Sequence, residues 1–182
     1  MYLIRKQLKR WRKSSEASAA IEFALISIPF FMLVMSIFEM AIMFASASML
    51  EGATGRASRL IRTGQVQQAS ADPGAQEAMF RDTLCTRAFM IPCNAIDVEV
   101  SNIGAFGNFG NFSAQYDGDG NLDSQGFNAG AVNDVVLIRT GYRYQFMTPF
   151  IGQLLGANGT GSQYFMSTIV MQVEPYEFTG EA

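Results

Sequence analysis

Asp117, Asp119, Asn121 and Asp123 stand at alternate positions of the run DGDGNLDS, at the 1, 3, 5, 7 spacing of a calcium loop. Oxygen ligands so spaced can converge on a hard cation. The remainder of the pattern departs from it: Leu122 stands where the sharp turn needs glycine, and Asn128 where a bidentate glutamate would close the shell. A solvated, turn-rich loop is the plainer expectation, and no cofactor is expected. Cys85 and Cys93 are the only cysteines, eight residues apart, without the CxxC spacing of a redox pair. In an oxidising compartment such a pair is most simply a disulfide. Its short loop sets the expected gain at about 2–3 kcal/mol on the chain-entropy model. The chain has no histidine, so the usual proton shuttle is missing and a soft-ligand metal site lacks ligands. GAFGNFGNF lacks the strand–GxGxxG–helix context and the lysine of a phosphate loop. No nucleophile elbow occurs. An enzyme is not expected.

The remaining chemistry-bearing residues are two glutamates in the most apolar stretch, SAAIEFALISIPFFMLVMSIFEMAIMFASASML, residues 18–50. A charged residue at the centre of a membrane helix costs about 2.5–3.5 kcal/mol on insertion scales. Glu22 and Glu39 are about 25 Å apart along a helix, slightly less than the roughly 30 Å of bilayer hydrocarbon. Two interfacial carboxylates at opposite membrane faces are the bland reading. Met40–Ala45 continues apolar, however, so burying it draws Glu39 below the surface, where a carboxylate needs a partner or a proton.

The elements that must position these residues follow from charge and pattern. The first 15 residues carry six cations and no acid, whereas from Gly64 onward four arginines face twelve acids, a net −8. A nucleic-acid binder needs a basic folded part, so nucleic acid is excluded as a partner. Basic residues immediately before a span predict a cytoplasmic N-terminus and an exported C-terminal region. The apolar run is too long for the h-region of a cleaved signal, which makes residues 18–63 a transmembrane helix with an extension. Ala41, Ala45, Ser48 and Gly52 lie near one face of it, at the small-residue spacing that lets helices approach closely. Pro29 predicts a kink. Arg56, Arg59 and Arg62 form a basic stripe, and Gly64 reads as the helix stop.

Gln65–Ala71 reads as a polar linker. Asp72-Pro73 then starts a helix whose apolar period, Ala75, Met79, Leu84 and Phe89, runs toward Pro92. Ala95–Ser101 alternates Ile96, Val98 and Val100 with acids, as a strand with one buried face does. Residues 102–131, rich in Gly, Asn, Asp and Phe, form a long loop of a kind that is functional or disordered. Phe106, Phe109 and Phe112 recur in it at every third position. Val132–Phe146 reads as a second strand bent at Gly141, Thr148–Leu155 as a short helix, and Gln163–Val173 as a third strand ended by Pro175. The fold class is α+β. A long N-terminal transmembrane helix continues into a small exported domain, residues 64–182, with about three antiparallel strands and one or two helices.

Ser18-Ala-Ala-Ile-Glu22-Phe23 after a basic leader, with Pro29, Phe38-Glu39, Arg62-Thr63-Gly64-Gln65 and Val173-Glu174-Pro175-Tyr176, resembles type IV-like pseudopilins. Above all it resembles the TadE-like family of Tad (tight adherence) pilus systems. The specific signal covers about residues 10–65. The resemblance implies a bacterial inner-membrane, single-pass minor pseudopilin with a periplasmic C-terminal domain. Its partners would be other pilin-like subunits, a second minor pseudopilin, a prepilin peptidase and the bilayer. It implies peptidase cleavage between Ala17 and Ser18, which removes residues 1–17. The family usually has glycine where this chain has Ala17. It also gives Glu22 a role, pairing with the new α-amino group of a neighbouring subunit, since opposite buried charges offset each other's desolvation. Glu39 would make a polar contact with a neighbouring helix inside the membrane. The expected function is structural, in assembly or priming of a Tad-type adhesion pilus. The alternative is a membrane-anchored periplasmic binding module, calcium-dependent through the 117–123 loop, whose helix is only a tether.

Overall fold

The computed structural model describes residues 15–156 and 160–176, so most of the basic leader lies outside it. The chain divides into two compact units, Met1–Ala41 and Ile42–Ala182.

Helix α1 (Ser15–Arg62) is one unbroken 48-residue helix that continues through Pro29. Two hydroxyls in the middle of the apolar stretch are satisfied within the helix. Ser27 donates to the Ala24 carbonyl at 3.0 Å and Ser36 to the Met32 carbonyl at 2.7 Å, so neither needs a partner outside it. The helix stops where expected: Gly64 is left-handed at φ 74°, and its N–H donates to the Ile61 carbonyl at 3.1 Å. A side chain there would also collide with the Tyr176 ring, so glycine is required twice over.

Gln65–Ala71 is not an extended linker. Gln65–Ala69 forms helix α2, with Val66 and Gln67 buried. The Gln67 amide donates to the carbonyls of Ile61 and Ala129 at 3.2 and 2.9 Å. A polar sequence is thus held in place by tertiary hydrogen bonds invisible to its composition. Helix α3 (Pro73–Arg87) starts as its sequence dictates, with the Asp72 carboxylate accepting the Ala75 N–H at 2.9 Å. It buries Phe80 and Leu84. Because it ends at Arg87, Phe89 leaves the helical period and is 79% exposed, while Ala88 takes the buried place.

Strands β1 (Ile96–Asn102), β2 (Val135–Gln145) and β3 (Ser162–Gln172) form one antiparallel sheet in the order β1-β2-β3. Helix α4 (Pro149–Leu155) connects β2 to β3. Gly141 does not break β2: pairing runs through it to Asp97 on one side and Met166 on the other. It is needed for space, because a side chain there would overlap the Tyr164 hydroxyl as that ring crosses β2.

One face of the sheet carries the main core. Leu50, Ala53, Ala57 and Ile61 of α1 pack with Phe80 and Leu84 of α3 against Val98, Val100, Val136 and Ile138. Thr54 is buried in this contact, its hydroxyl 2.5 Å from that of Thr140. Each such large apolar side chain contributes about 1.5–3 kcal/mol on full burial.

The opposite face is covered as well, by residues 102–131. Phe112 packs with Ile103, Leu137 and Val170. Phe127 reaches round to the main core, edge-on to Phe80 with ring centroids 5.6 Å apart. The expectation of one buried face on β1 is therefore corrected: Glu99, on the far side from Val98, is only 3% exposed. The Gly/Asn-rich segment is an ordered cover anchored by hydrogen bonds. Of its three regularly spaced phenylalanines only Phe112 is half-buried, and Phe106 and Phe109 are exposed.

Candidate functional site: the apolar helix and the covered face of the sheet

From Ile21 to Phe38, α1 exposes large apolar side chains all round. Phe23, Leu25, Ile26, Phe30, Leu33 and Ile37 are each more than half exposed. A helix apolar on every side is stable in lipid or in a packed helical assembly, not in water. This is the only helix among the described residues long and apolar enough to cross a membrane. Ser18, Glu22 and Phe23 sit on its exposed surface, and the Ser18 hydroxyl donates to Glu22 Oε1 at 3.2 Å, one turn away. The carboxylate is therefore accessible near the helix start. Ala17 lies within the helix, and residues 1–14 lie outside the described residues. Glu39 is in the opposite situation, 3% exposed and engaged in an interaction. The two glutamates that look equivalent by composition differ completely in access.

Ala41, Ala45, Ser48 and Gly52 all lie on an exposed face of α1, and nothing approaches within 4 Å of the place a side chain at Gly52 would take. Of the basic stripe, Arg56 and Arg59 are exposed. Arg62 pairs with Glu174 at 2.9 Å, each about half exposed, which makes this pair worth at most about 1 kcal/mol.

Cys85 and Cys93 form the disulfide, with Cα atoms 5.3 Å apart. It joins the last turn of α3 to the 3-10 turn Cys93–Ala95 that leads into β1.

The candidate cation loop is organised round hydrogen bonds of its own. Asp117 Oδ1 accepts the N–H groups of Asp119 and Asn121 at 2.9 and 2.8 Å, and Oδ2 accepts the Asn121 side-chain amide at 3.0 Å. These bonds, those from Asn121 foremost, hold the Asp117 carboxyl below the usual carboxylate range. One candidate ligand oxygen, Asn121 Oδ1, and the backbone carbonyl of Asp119 face Arg143. Its Nε donates to Asn121 Oδ1 at 2.7 Å and its Nη2 to the Asp119 carbonyl at 2.6 Å. No group of three or more acidic, cysteine or histidine side chains converges among the described residues.

Two polar pairs under the cover escape composition-based reasoning. Arg139 Nη1 lies 3.4 Å from both oxygens of Glu99, with both side chains 4% exposed, and its Nη2 donates to the Phe112 carbonyl. The Tyr164 hydroxyl donates to Asp97 at 2.8 Å and accepts the Leu122 N–H at 2.9 Å. Burial, more than the neighbouring carboxylate, pushes its ionisation well above the ordinary tyrosine range. The only sequence signal was the scarcity of cations after Gly64: Arg139 and Arg143 are two of four, and both tie the cover to the sheet.

No curated protein and no solved structure matches the chain. One family model does, that described as TadE-like protein, over residues 17–59. The match begins one residue before Ser18 and ends in the part of α1 that packs on the sheet. Over this segment the chain is similar to the TadE-like family.

Proposed function

We propose that this chain is a structural minor pseudopilin of a Tad-type pilus, held in the bacterial inner membrane by α1 with its α+β domain in the periplasm. The observation that carries the reading is the TadE-like match over the same helix whose apolar surface and Glu22 are exposed. In this reading the helix packs laterally with other pilin-like helices, a second minor pseudopilin among them, and contributes to assembly or priming, not to catalysis. A prepilin peptidase cuts between Ala17 and Ser18, and Glu22 then pairs with the freed α-amino group of a neighbouring subunit. The pair is favoured because each charge offsets the desolvation of the other on leaving water.

Glu22→Ala tests this directly. Pilus formation is lost while membrane insertion stays normal, since an alanine only makes the span more apolar. Intact pili in the variant refute the role of Glu22. Intact mass of the membrane-extracted protein reports processing separately, a mature N-terminus at Ser18 supporting cleavage and a retained Met1 opposing it.

A further inference from the structure

The two edges of the sheet are treated very differently. The end pairs of each ladder show that odd-numbered residues of β1 and of β3 turn their backbone groups toward β2. By the two-residue alternation, even-numbered residues turn theirs outward. On β1 the outward carbonyls of Ile96 and Val98 and both outward groups of Val100 are occupied. Arg81 donates to the Ile96 carbonyl and Ser124 to that of Val98, while Val100 exchanges backbone bonds with Gly126 and Asn128. On β3 the outward N–H and C=O groups of Met166, Thr168 and Val170 have no partner among the described residues. Natural sheets blunt free edges with lysine, proline or bulges. Ser162–Gln172 contains no charged residue, no proline and no glycine, and pairs with β2 without a bulge.

A groove of about 320 Å³ runs beside this edge, between Ala47, Ser48 and Glu51 of α1 and Phe165–Thr168 of β3. On the helix side the small residues Ala47 and Ser48 line it together with Leu50 and Glu51. The Glu51 carboxylate has no ion pair or hydrogen bond among the described residues.

We propose that β3 is a docking edge that accepts an extended segment of another polypeptide as a fourth strand, uncharged along its pairing length and carrying a lysine or arginine that meets Glu51. Main-chain hydrogen bonds to Met166, Thr168 and Val170 supply the affinity, and Glu51 selects a basic end. A second copy of β3 is a poor occupant because it brings no cation to Glu51. Self-pairing in the antiparallel sense also points the two helices in opposite directions. Within the domain α1 runs the same way as β3, with Glu51 beside Phe165–Thr168 and Arg62 beside Gln172–Glu174. This inference does not depend on the pilus reading.

The test uses the full chain in detergent micelles and two short alternating Thr/Val peptides, one with lysine at each end and one with glutamate. Amide hydrogen exchange is followed at Met166, Thr168 and Val170. The lysine-ended peptide slows these amides by about tenfold or more as they gain partners, and the glutamate-ended peptide does so less. Thr168→Pro removes an outward N–H that β2 does not use, as edge strands tolerate. It abolishes the slowing while leaving the thermal midpoint within a few degrees. Glu51→Lys, a change on the exposed helix surface, reverses the preference between the peptides and serves should the proline variant not fold. Absence of slowing with either peptide overturns the proposal. So does slowing in the chain alone that grows with protein concentration, which would make a second copy the occupant.

Discussion

The buried pair Arg139–Glu99 offers the sharpest measure of how the cover is held to the sheet. Arg139→Met keeps most of the side-chain volume but removes the guanidinium that faces Glu99 and donates to the Phe112 carbonyl. Glu99 is then left 3% exposed, with Ser101 Oγ at 3.4 Å as its nearest remaining donor. Leaving one member of a buried ion pair costs about 3–5 kcal/mol. The Phe112 carbonyl, on a half-buried residue, loses its Arg139 donor as well. A loss of about 4 kcal/mol is a large share of the 5–15 kcal/mol that holds a typical domain. With a urea m-value of about 2 kcal/mol/M, the midpoint falls by roughly 2 M. The double variant Glu99→Met with Arg139→Met removes both charges and recovers most of the loss, since apolar replacement of a buried pair is close to neutral. Urea unfolding of the full chain in micelles, followed by near-UV circular dichroism, reads both. A single variant costing under about 1 kcal/mol, or a double variant as unstable as the single, would falsify the claim that the pair is buried and mutually dependent.

The other expectations rest on separate contacts. Gly141→Ala drives the Tyr164 ring off its seat, combining overpacking of about 1–3 kcal/mol with hydrogen bonds worth about 1 kcal/mol each. In a Tyr164→Ala background the same glycine change costs almost nothing, and additive losses in the two backgrounds would contradict the crossing of that ring over β2. Replacing both Cys85 and Cys93 by serine lowers stability by about 2–3 kcal/mol in denaturant titrations, and an unchanged midpoint would show the link to be structurally idle. Because the Asp117 carboxyl is depressed below 3.8, its contribution is present above that pH and is lost as pH falls through its lower folded value. The Asp119 and Asn121 amide resonances should therefore titrate with a midpoint below pH 3.8, and a transition centred above it would invert the reasoning. The Tyr164 hydroxyl has the opposite sign. Its raised ionisation gives stability that is complete below pH 10 and drains away above it, measurable as an alkaline decline that Tyr164→Phe flattens.

What this sequence determined alone is what depends on near neighbours. The length of α1 follows from an apolar run without helix breakers, apart from a Pro29 the helix absorbs. Its end follows from Gly64, the start of α3 from Asp72-Pro73, and the disulfide from two cysteines at short range. Each is a local signal, written within one or two turns of chain. The tertiary structure decided the rest. Glu99 looked like one of the solvent-facing acids of a half-buried strand. It is buried because residues 102–131 fold back over that face and bring Phe112 to Arg139, forty residues from Glu99 in the chain. Gly141 looked like a bend and is instead the space that Tyr164 occupies. Asp117 and Asn121 stand at the spacing of cation ligands, and in the folded chain their side-chain oxygens accept from backbone N–H groups and from Arg143, which only β2 could deliver. Glu22 and Glu39 carry the same charge in the same helix, and only the folded chain leaves one accessible and buries the other. A side chain's type states what it can bind; its burial and its partners depend on residues remote in sequence, and no local pattern encodes them.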